Sequence, residues 1–549
     1  MHYFSDLEEK IHFMVLEVNR QLEDTLKIIQ DPVPDRVDRV KSRDDRIDNY
    51  KAIIENLCFS RIHGHENLRK DKVDFIRAVN IISTNLERIS DFAVNIVAQL
   101  SYLSRVEFMH DYNYTPFFRQ ISTSLDQVVP GLFNKDLNRA LSICRAEFMV
   151  DKLFKRSFDQ IIQELDSSTS KQDLITCLFI IRYLERMGDA LLNIGEAIIF
   201  SVFGEKLKIH QYQALVENLD SINNDISIHN VGFESIWETR SGCRIGKIMD
   251  SPERGGKAVL FKEGKVQKIS REKENIEKWK KIFPSLVPGI FSYNQTQDNA
   301  SMLLEFLQGC SLQEAIVSQD REETLENATF LLKETMSLIW NDTIRNKRVS
   351  ARFTAQIVQR IDDVLMIHPE FNFSEARIGS LTKPSLNRVI AILGDIENEL
   401  EAPFSVFIHG DFNTNNIIYN QKDQQIYFID LHRSCHGDYV QDVSVFLVSN
   451  YRKPIFEPEV RQAINRLNQE FYSFARQFAA ENSDPTFNAR LALGLIRSFF
   501  TSTRFELNQE FALSMYQRAL YLSEKLIAHH GRPWKDFSLP RDVIMYSRF

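Results

Sequence analysis

At 549 residues the chain is too long for one hydrophobic core, and roughly two to four domains are expected. Its composition, 43% hydrophobic and 26% charged, is that of an ordinary globular protein. The net charge of −8 excludes the basic footprint of a nucleic-acid or anionic-membrane binder, and no apolar run approaches a membrane span.

The first residues, "MHYFSDLEEK", are acidic and lack the basic and apolar regions of a secretory leader. The six cysteines are scattered singly, without zinc-ligand spacing or a disulfide framework. A reducing cytoplasm is the expected location.

Residues 1 to about 222 are poor in Pro and Gly and carry helical periodicity nearly throughout. Within them "NLERISDFAVNI", 85–96, recurs as "YLERMGDALLNI", 183–194. Leu86, Ile89, Ala93 and Ile96 correspond to Leu184, Met187, Leu191 and Ile194, one helix face in each copy. "DDRID", with Asp44 and Asp48, recurs as "EFMVD", with Glu147 and Asp151. The repeat is far longer than a solenoid unit and predicts two copies of a small helical bundle, about 1–110 and 111–222. Four pairs at i and i+4 result: Asp44/Asp48, Glu87/Asp91, Glu147/Asp151 and Glu185/Asp189. Two such pairs on neighbouring helices can bind a metal through oxygen. Ordinary solvated charges, partnered by Arg88 and Arg186, are the alternative.

These residues resemble the PhoU family of phosphate-signalling regulators. The resemblance implies an all-α pair of three-helix bundles, a regulatory protein partner, room for a homodimer and, as in some members, a metal cluster of iron or zinc on those eight carboxylates. Ser90 stands where the first signature usually has Gly, while Gly188 keeps it in the second.

The polar stretch 223–239 loses the helical stripe and is expected to be a linker to a second domain over 240–549. There "KAVLFKEGKVQKIS" reads as two strands around "KEGK", and "MLLEFLQG", 302–309, as another strand. Helices return over 311–400, followed by the short strands "SVFI", "NIIYN" and "QIYFID" and further helices. Strands first and helices later predict an α+β domain.

Chemistry concentrates at the strand ends. "FIHGDFNTNNIIYN" carries His409, Asp411 and Asn416, and "FIDLHRSCHGDYVQD" carries Asp430, Asp438 and Asp442. An isolated "HGD" is most often a turn. Here the hairpin between the two segments brings Asp411, Asn416 and Asp430 to one mouth. Phosphoryl transfer needs such a group: a carboxylate to orient or deprotonate the hydroxyl, and an Asn with a second carboxylate to hold Mg²⁺ against nucleotide phosphates. A strand lysine paired with a helix glutamate should precede it. Lys268 is the candidate lysine, with Glu274 preferred to Glu277; Gly255 and Gly256 offer a phosphate-covering loop.

The run HGDxxxxN, then a strand-borne Asp, then GDxxxD resembles the aminoglycoside phosphotransferase and choline kinase superfamily. The resemblance implies a protein-kinase-like fold of two lobes, 240–308 and 309–549. It implies Asp411 as catalytic base, Asn416 and Asp430 as Mg²⁺ ligands, His409 as a loop-bracing residue, and ATP as donor to a small-molecule hydroxyl. Glu305 to Leu307 would be the hinge whose backbone binds adenine. A nucleotide sensor without turnover and a kinase of protein hydroxyls are the other readings.

Overall fold

The computed structural model describes residues 4–31, 34–64, 68–105, 108, 112–165, 170–204, 208–220, 232–235, 243–249, 258–452, 455 and 457–546. Two compact units are present, Met1–Glu263 and Gly264–Phe549.

The first unit opens with α1 (Ser5–Gln30), α2 (Pro34–His63) and α3 (Lys70–Gln99), which pack together as a three-helix bundle. A second bundle follows from α4 (Thr115–Leu125), α5 (Val128–Phe133), α6 (Leu137–Leu165) and α7 (Lys171–Phe203), and then α8 (Ile209–Asp220). The repeated signatures lie on α3 and α7, and the predicted apolar faces, Leu86 to Ile96 and Leu184 to Ile194, are buried. These two helices pack against each other, with Asn193 Nδ2 donating to Asn85 Oδ1 at 3.2 Å. One continuous apolar core therefore runs through both bundles. The chain turns out of α7 at Gly204, whose φ of +69° a residue with a Cβ rarely adopts.

Strand β1 (Gly232–Ser235) falls inside the segment expected to be a linker and pairs antiparallel with β2 (Arg244–Met249). Strand β2 pairs with β3 (Ala258–Lys265). The sequence "KAVLFKEGKVQKIS" is thus not a two-strand hairpin. One strand runs through "KEGK", and α9 (Val266–Ile282) begins directly after it. The helical period decides this, because Ile269, Ile276 and Trp279 form one buried stripe.

In the second unit β4 (Ile290–Gln295) pairs with β5 (Asn299–Glu305). Strand β6 (Cys310–Ser311) leads into α10 (Leu312–Val317), closed by a capping box between Ser311 and Glu314. Then come α11 (Arg321–Thr343), α12 (Phe353–Val358), α13 (Ile361–Ile367), the hairpin β7 (Ala376–Ile378) and β8 (Leu381–Lys383), and α14 (Leu386–Asn398). Three strands frame the polar segments: β9 (Val406–Ile408), β10 (Ile417–Asn420) and β11 (Gln425–Phe428). Strand β12 (Cys435–Gly437) pairs with β9, and α15 (Val440–Tyr451), α16 (Pro458–Glu481), α17 (Phe487–Ser502) and α18 (Gln509–His529) complete the unit. Among the described residues no helix is long and apolar enough to cross a membrane.

Candidate active site

All three residues of β9 are buried, and the chain leaves the strand at His409. Asp442, in the first turn of α15, supplies the acceptors. Its Oδ2 accepts from the His409 N–H at 2.7 Å and its Oδ1 from the Gly410 N–H at 2.8 Å. Full burial pushes the Asp442 carboxyl up to about 7, against the opposing pull of those two N–H groups. Gly410 has φ of +83°, and a Cβ there would collide with the Arg433 carbonyl, so glycine alone fits.

The His409 ring is buried and its basicity is lowered, first by that burial. Its Nδ1 accepts the Asp411 N–H at 3.2 Å, which leaves the proton on Nε2, 3.0 Å from the Ile429 carbonyl. This neutral histidine ties the Asp411 loop to the residue before Asp430. Asn416 closes the loop from its other end: its Nδ2 donates to the Asp411 carbonyl at 2.9 Å, and its carbonyl accepts from the Ile429 N–H at 3.0 Å. Strands β10 and β11 pair with Ile417 opposite Phe428, so Asn416 and Asp430 emerge at the same hairpin end. Asp430 sits at φ +61°, a sparsely populated conformation held by its surroundings.

Helix α9 braces this arrangement. Asn275 Nδ2 donates to the Leu431 carbonyl at 2.8 Å; Trp279 Nε1 donates to Ser434 Oγ at 3.0 Å, which donates to the His409 carbonyl at 3.1 Å. Behind the loop, Asp438 forms a buried ion pair with Arg490, which also holds Asp484. Asp411 itself is only part-buried, and its Oδ2 lies 3.2 Å from Nη1 of Arg433. Arg433 was not among the residues singled out from sequence, although it stands three positions after Asp430.

The oxygens of Asn416 and Asp430 suit a hard cation that keeps several waters, so this donor set fits Mg²⁺. An ion there would neutralise nucleotide phosphate charge.

The nucleotide-side expectations fare differently. Lys268 lies in the first turn of α9 and not on a strand, and Glu274 and Glu277 are exposed. Strand β3 carries two lysines, of which Lys262 is buried and Lys265 exposed, and the buried glutamate of α9 is Glu272. The strand expected at Lys268 is the first turn of α9. Glu305 ends β5; its N–H donates to the Gly289 carbonyl at 2.8 Å, and its Oε2 accepts the Gly289 N–H at 2.9 Å. Leu307 follows just beyond the strand. Gly255 and Gly256 lie outside the described residues.

In the helical unit the carboxylate rows do influence one another across helices. Asp91 is pushed up to about 6 by desolvation first and then by Glu87, Asp44 and Asp48. Glu147 and Glu185 are raised in the same way, with Asp151 and Asp189 among the causes. Among the described residues, however, no three His, Cys, Asp or Glu side chains converge to hold a metal. Cationic and hydroxyl partners hold four of the eight carboxylates instead. Lys51 lies 3.1 Å from Glu87, Arg182 2.6 Å from Glu185 and Lys155 2.8 Å from Asp151. Ser90, the residue that departs from the signature glycine, donates to Asp44 at 2.6 Å. The iron or zinc expected from Asp44, Asp48, Glu87, Asp91, Glu147, Asp151, Glu185 and Asp189 does not fit these donors as they are arranged.

Residues 11–100 and 117–198 match the PhoU domain, and residues 372–481, which span the Asp411 loop and Asp442, match the phosphotransferase enzyme family. The chain joins a PhoU domain to a phosphotransferase-family domain. It is 26% identical over 213 residues to the phosphate-specific transport system accessory protein PhoU homolog of Clostridium acetobutylicum, covering 38% of this chain and 96% of that one. The corresponding protein of Borreliella burgdorferi is 28% identical over 197 residues, 34% of this chain and 87% of its own. Among solved structures, a choline kinase from Cryptosporidium parvum aligns at 13% identity and a TM-score of 0.37, over 59% of this chain and 99% of that one.

Proposed function

We propose that the phosphotransferase-family domain transfers the γ-phosphoryl group of ATP to a hydroxyl of a small molecule, and that the PhoU domain regulates it in phosphate signalling within the cytoplasm. Asp411 orients the hydroxyl and takes its proton as the oxygen attacks. Asn416 and Asp430 hold Mg²⁺, and His409 and Asp442 position the loop without touching substrate. Lys262, on β3, and Glu272, on α9, stand as further candidates beside Lys268 and Glu274 for the lysine and glutamate expected ahead of such a loop.

The observation that carries this reading is the loop closed by Asp442, His409 and Asn416, which sets a part-buried carboxylate, Asp411, beside an oxygen donor pair. The test is Mg²⁺-dependent ATP hydrolysis by the full chain, in which water replaces the acceptor. Asp411→Asn should abolish turnover and leave nucleotide binding largely intact, because the group acts in the transition state. Asp430→Asn should weaken binding of the Mg–nucleotide complex itself. Hydrolysis by Asp411→Asn at the parent rate would overturn the assignment of the base.

A further inference from the structure

Asp411 stands beside an unusual concentration of arginine. Arg433 is its direct partner at 3.2 Å. Arg497, on α17, lies deep in the unit at 8% exposure, and its Nη2 donates a long hydrogen bond to Ser444 Oγ at 3.5 Å. Among the described residues its Nε is buried without a hydrogen-bond partner, and so is Nη1 of Arg504 in the short helical turn after α17. Arg360, at the start of α13, completes the group. Helix α12 packs on α17, and α13 on the turn that carries Arg504, so the packing draws the segments bearing Arg360, Arg497 and Arg504 together.

The charges feel one another. Arg497 is lowered to about 9, by burial first and then by Arg360 and Arg433, with Asp411 and Asp442 opposing. Arg360 is lowered by burial, Arg504 and Arg433, with Asp411 and Asp363 opposing. Four guanidinium groups thus lie within one another's influence, with Asp411, Asp363 and a buried Asp442 as the opposing charges. A protein rarely leaves buried guanidinium N–H groups unpaired, because their desolvation is uncompensated. The planar fork of arginine matches a phosphate or carboxylate, which would complete those bonds.

We propose that the phosphoryl acceptor carries its own anionic group, a phosphate or a carboxylate, and that Arg497, Arg360 and Arg504 bind it while its hydroxyl faces Asp411. The inference rests on the phosphotransferase reading above. In the step, the acceptor O–H loses its proton to Asp411 and its oxygen bonds to the γ-phosphorus. The bond from that phosphorus to the β–γ bridging oxygen breaks, and ADP leaves with the electron pair. The product is a phosphoester that keeps the original anionic group. Arg433, freed from Asp411 as the hydroxyl arrives, faces the transferring group.

The test titrates inorganic phosphate into the full chain saturated with Mg²⁺ and a non-hydrolysable ATP analogue. Phosphate should bind this loaded protein and protect it thermally. Arg360→Gln and Arg504→Gln, at positions only part-buried, should each weaken phosphate binding by roughly tenfold or more, the worth of a charge-assisted hydrogen bond. Arg497→Gln should do the same, with circular dichroism as the check on its fold. Absence of phosphate binding, or binding unchanged in all three variants, overturns the proposal. Phosphate excluded by the analogue, together with variants that lose nucleotide affinity by the same factor, would make the nucleotide the ligand and also overturn it. Mg²⁺-dependent ATP hydrolysis lost in Asp411→Asn is scored separately. If hydrolysis holds and phosphate does not bind, the acceptor class alone fails. If phosphate binds the arginines and no ATP is hydrolysed, the phosphotransferase reading fails.

Discussion

Replacing Asp442 by asparagine isolates the device that shapes the catalytic loop. In the wild type both carboxylate oxygens accept backbone N–H groups, from His409 at 2.7 Å and Gly410 at 2.8 Å, inside a fully buried site. An asparagine offers one oxygen and one NH₂ in the same volume, so one buried N–H must face another donor. An unsatisfied buried donor costs about 1–3 kcal/mol. For a unit of this size each kcal/mol is about 2–4 °C in Tm. Asp411 follows directly on Gly410, and a displacement of about 1 Å at a reacting group can cost a hundredfold in rate. The expected outcome is a modest loss of stability in the second unit and a disproportionate loss of ATP turnover, with nucleotide affinity retained. The pH dependence adds a signature. Burial raises the Asp442 carboxyl to about 7 from its ordinary value of 3.8, so the folded protein binds the proton more tightly than the unfolded chain does. Stability contributed by this group is then full below about pH 4 and is lost as pH rises towards 7. Asparagine does not titrate, so the variant should show a shallower fall in stability across that window. Urea denaturation at several pH values, with ATP hydrolysis measured on the same samples, decides the matter. A variant with parental stability, pH slope and turnover would show that Asp442 does not hold the loop.

Two further outcomes are expected. Lys262→Met should weaken productive nucleotide binding and lower ATP turnover by tenfold or more, roughly the scale of one charge-assisted contact, while Lys268→Met stays near the parent; the reverse order in a paired ATPase assay would restore Lys268. In the helical unit, ionised Asp91 is opposed by burial and by Glu87, Asp44 and Asp48, so its folded pKa of about 6 makes the unit less stable as pH rises through that value. Asp91→Asn should therefore raise the melting temperature at pH 8 and leave it little changed at pH 4, and equal shifts at both values would mean the carboxylates do not repel one another.

What the sequence determined by itself was whatever its short segments hold complete. The loop residues His409, Asp411 and Asn416 lie within eight positions, and Asp430 to Asp442 within thirteen, so strand endings and turn chemistry sufficed to group them. The helical stripes of α3 and α7 were legible for the same reason, since a helix face is written in spacings of three and four. Where two local readings competed, sequence could mislead. "GKVQKIS" alternates well enough to pass for a strand, but the apolar stripe that continues to Trp279 makes Val266 onward a helix and puts Lys268 in its first turn. The tertiary structure alone decided the rest. It merged the two bundles into one core through α3 and α7 and set lysine, arginine and serine partners against carboxylates that by spacing alone suggested a metal. It also brought Arg360, Arg433 and Arg497 within reach of Asp411, with Arg504 beside Arg360 and Arg433. No spacing in the chain links those four arginines, because their proximity is created by helices packing across long stretches of sequence, and packing is set by the whole core at once.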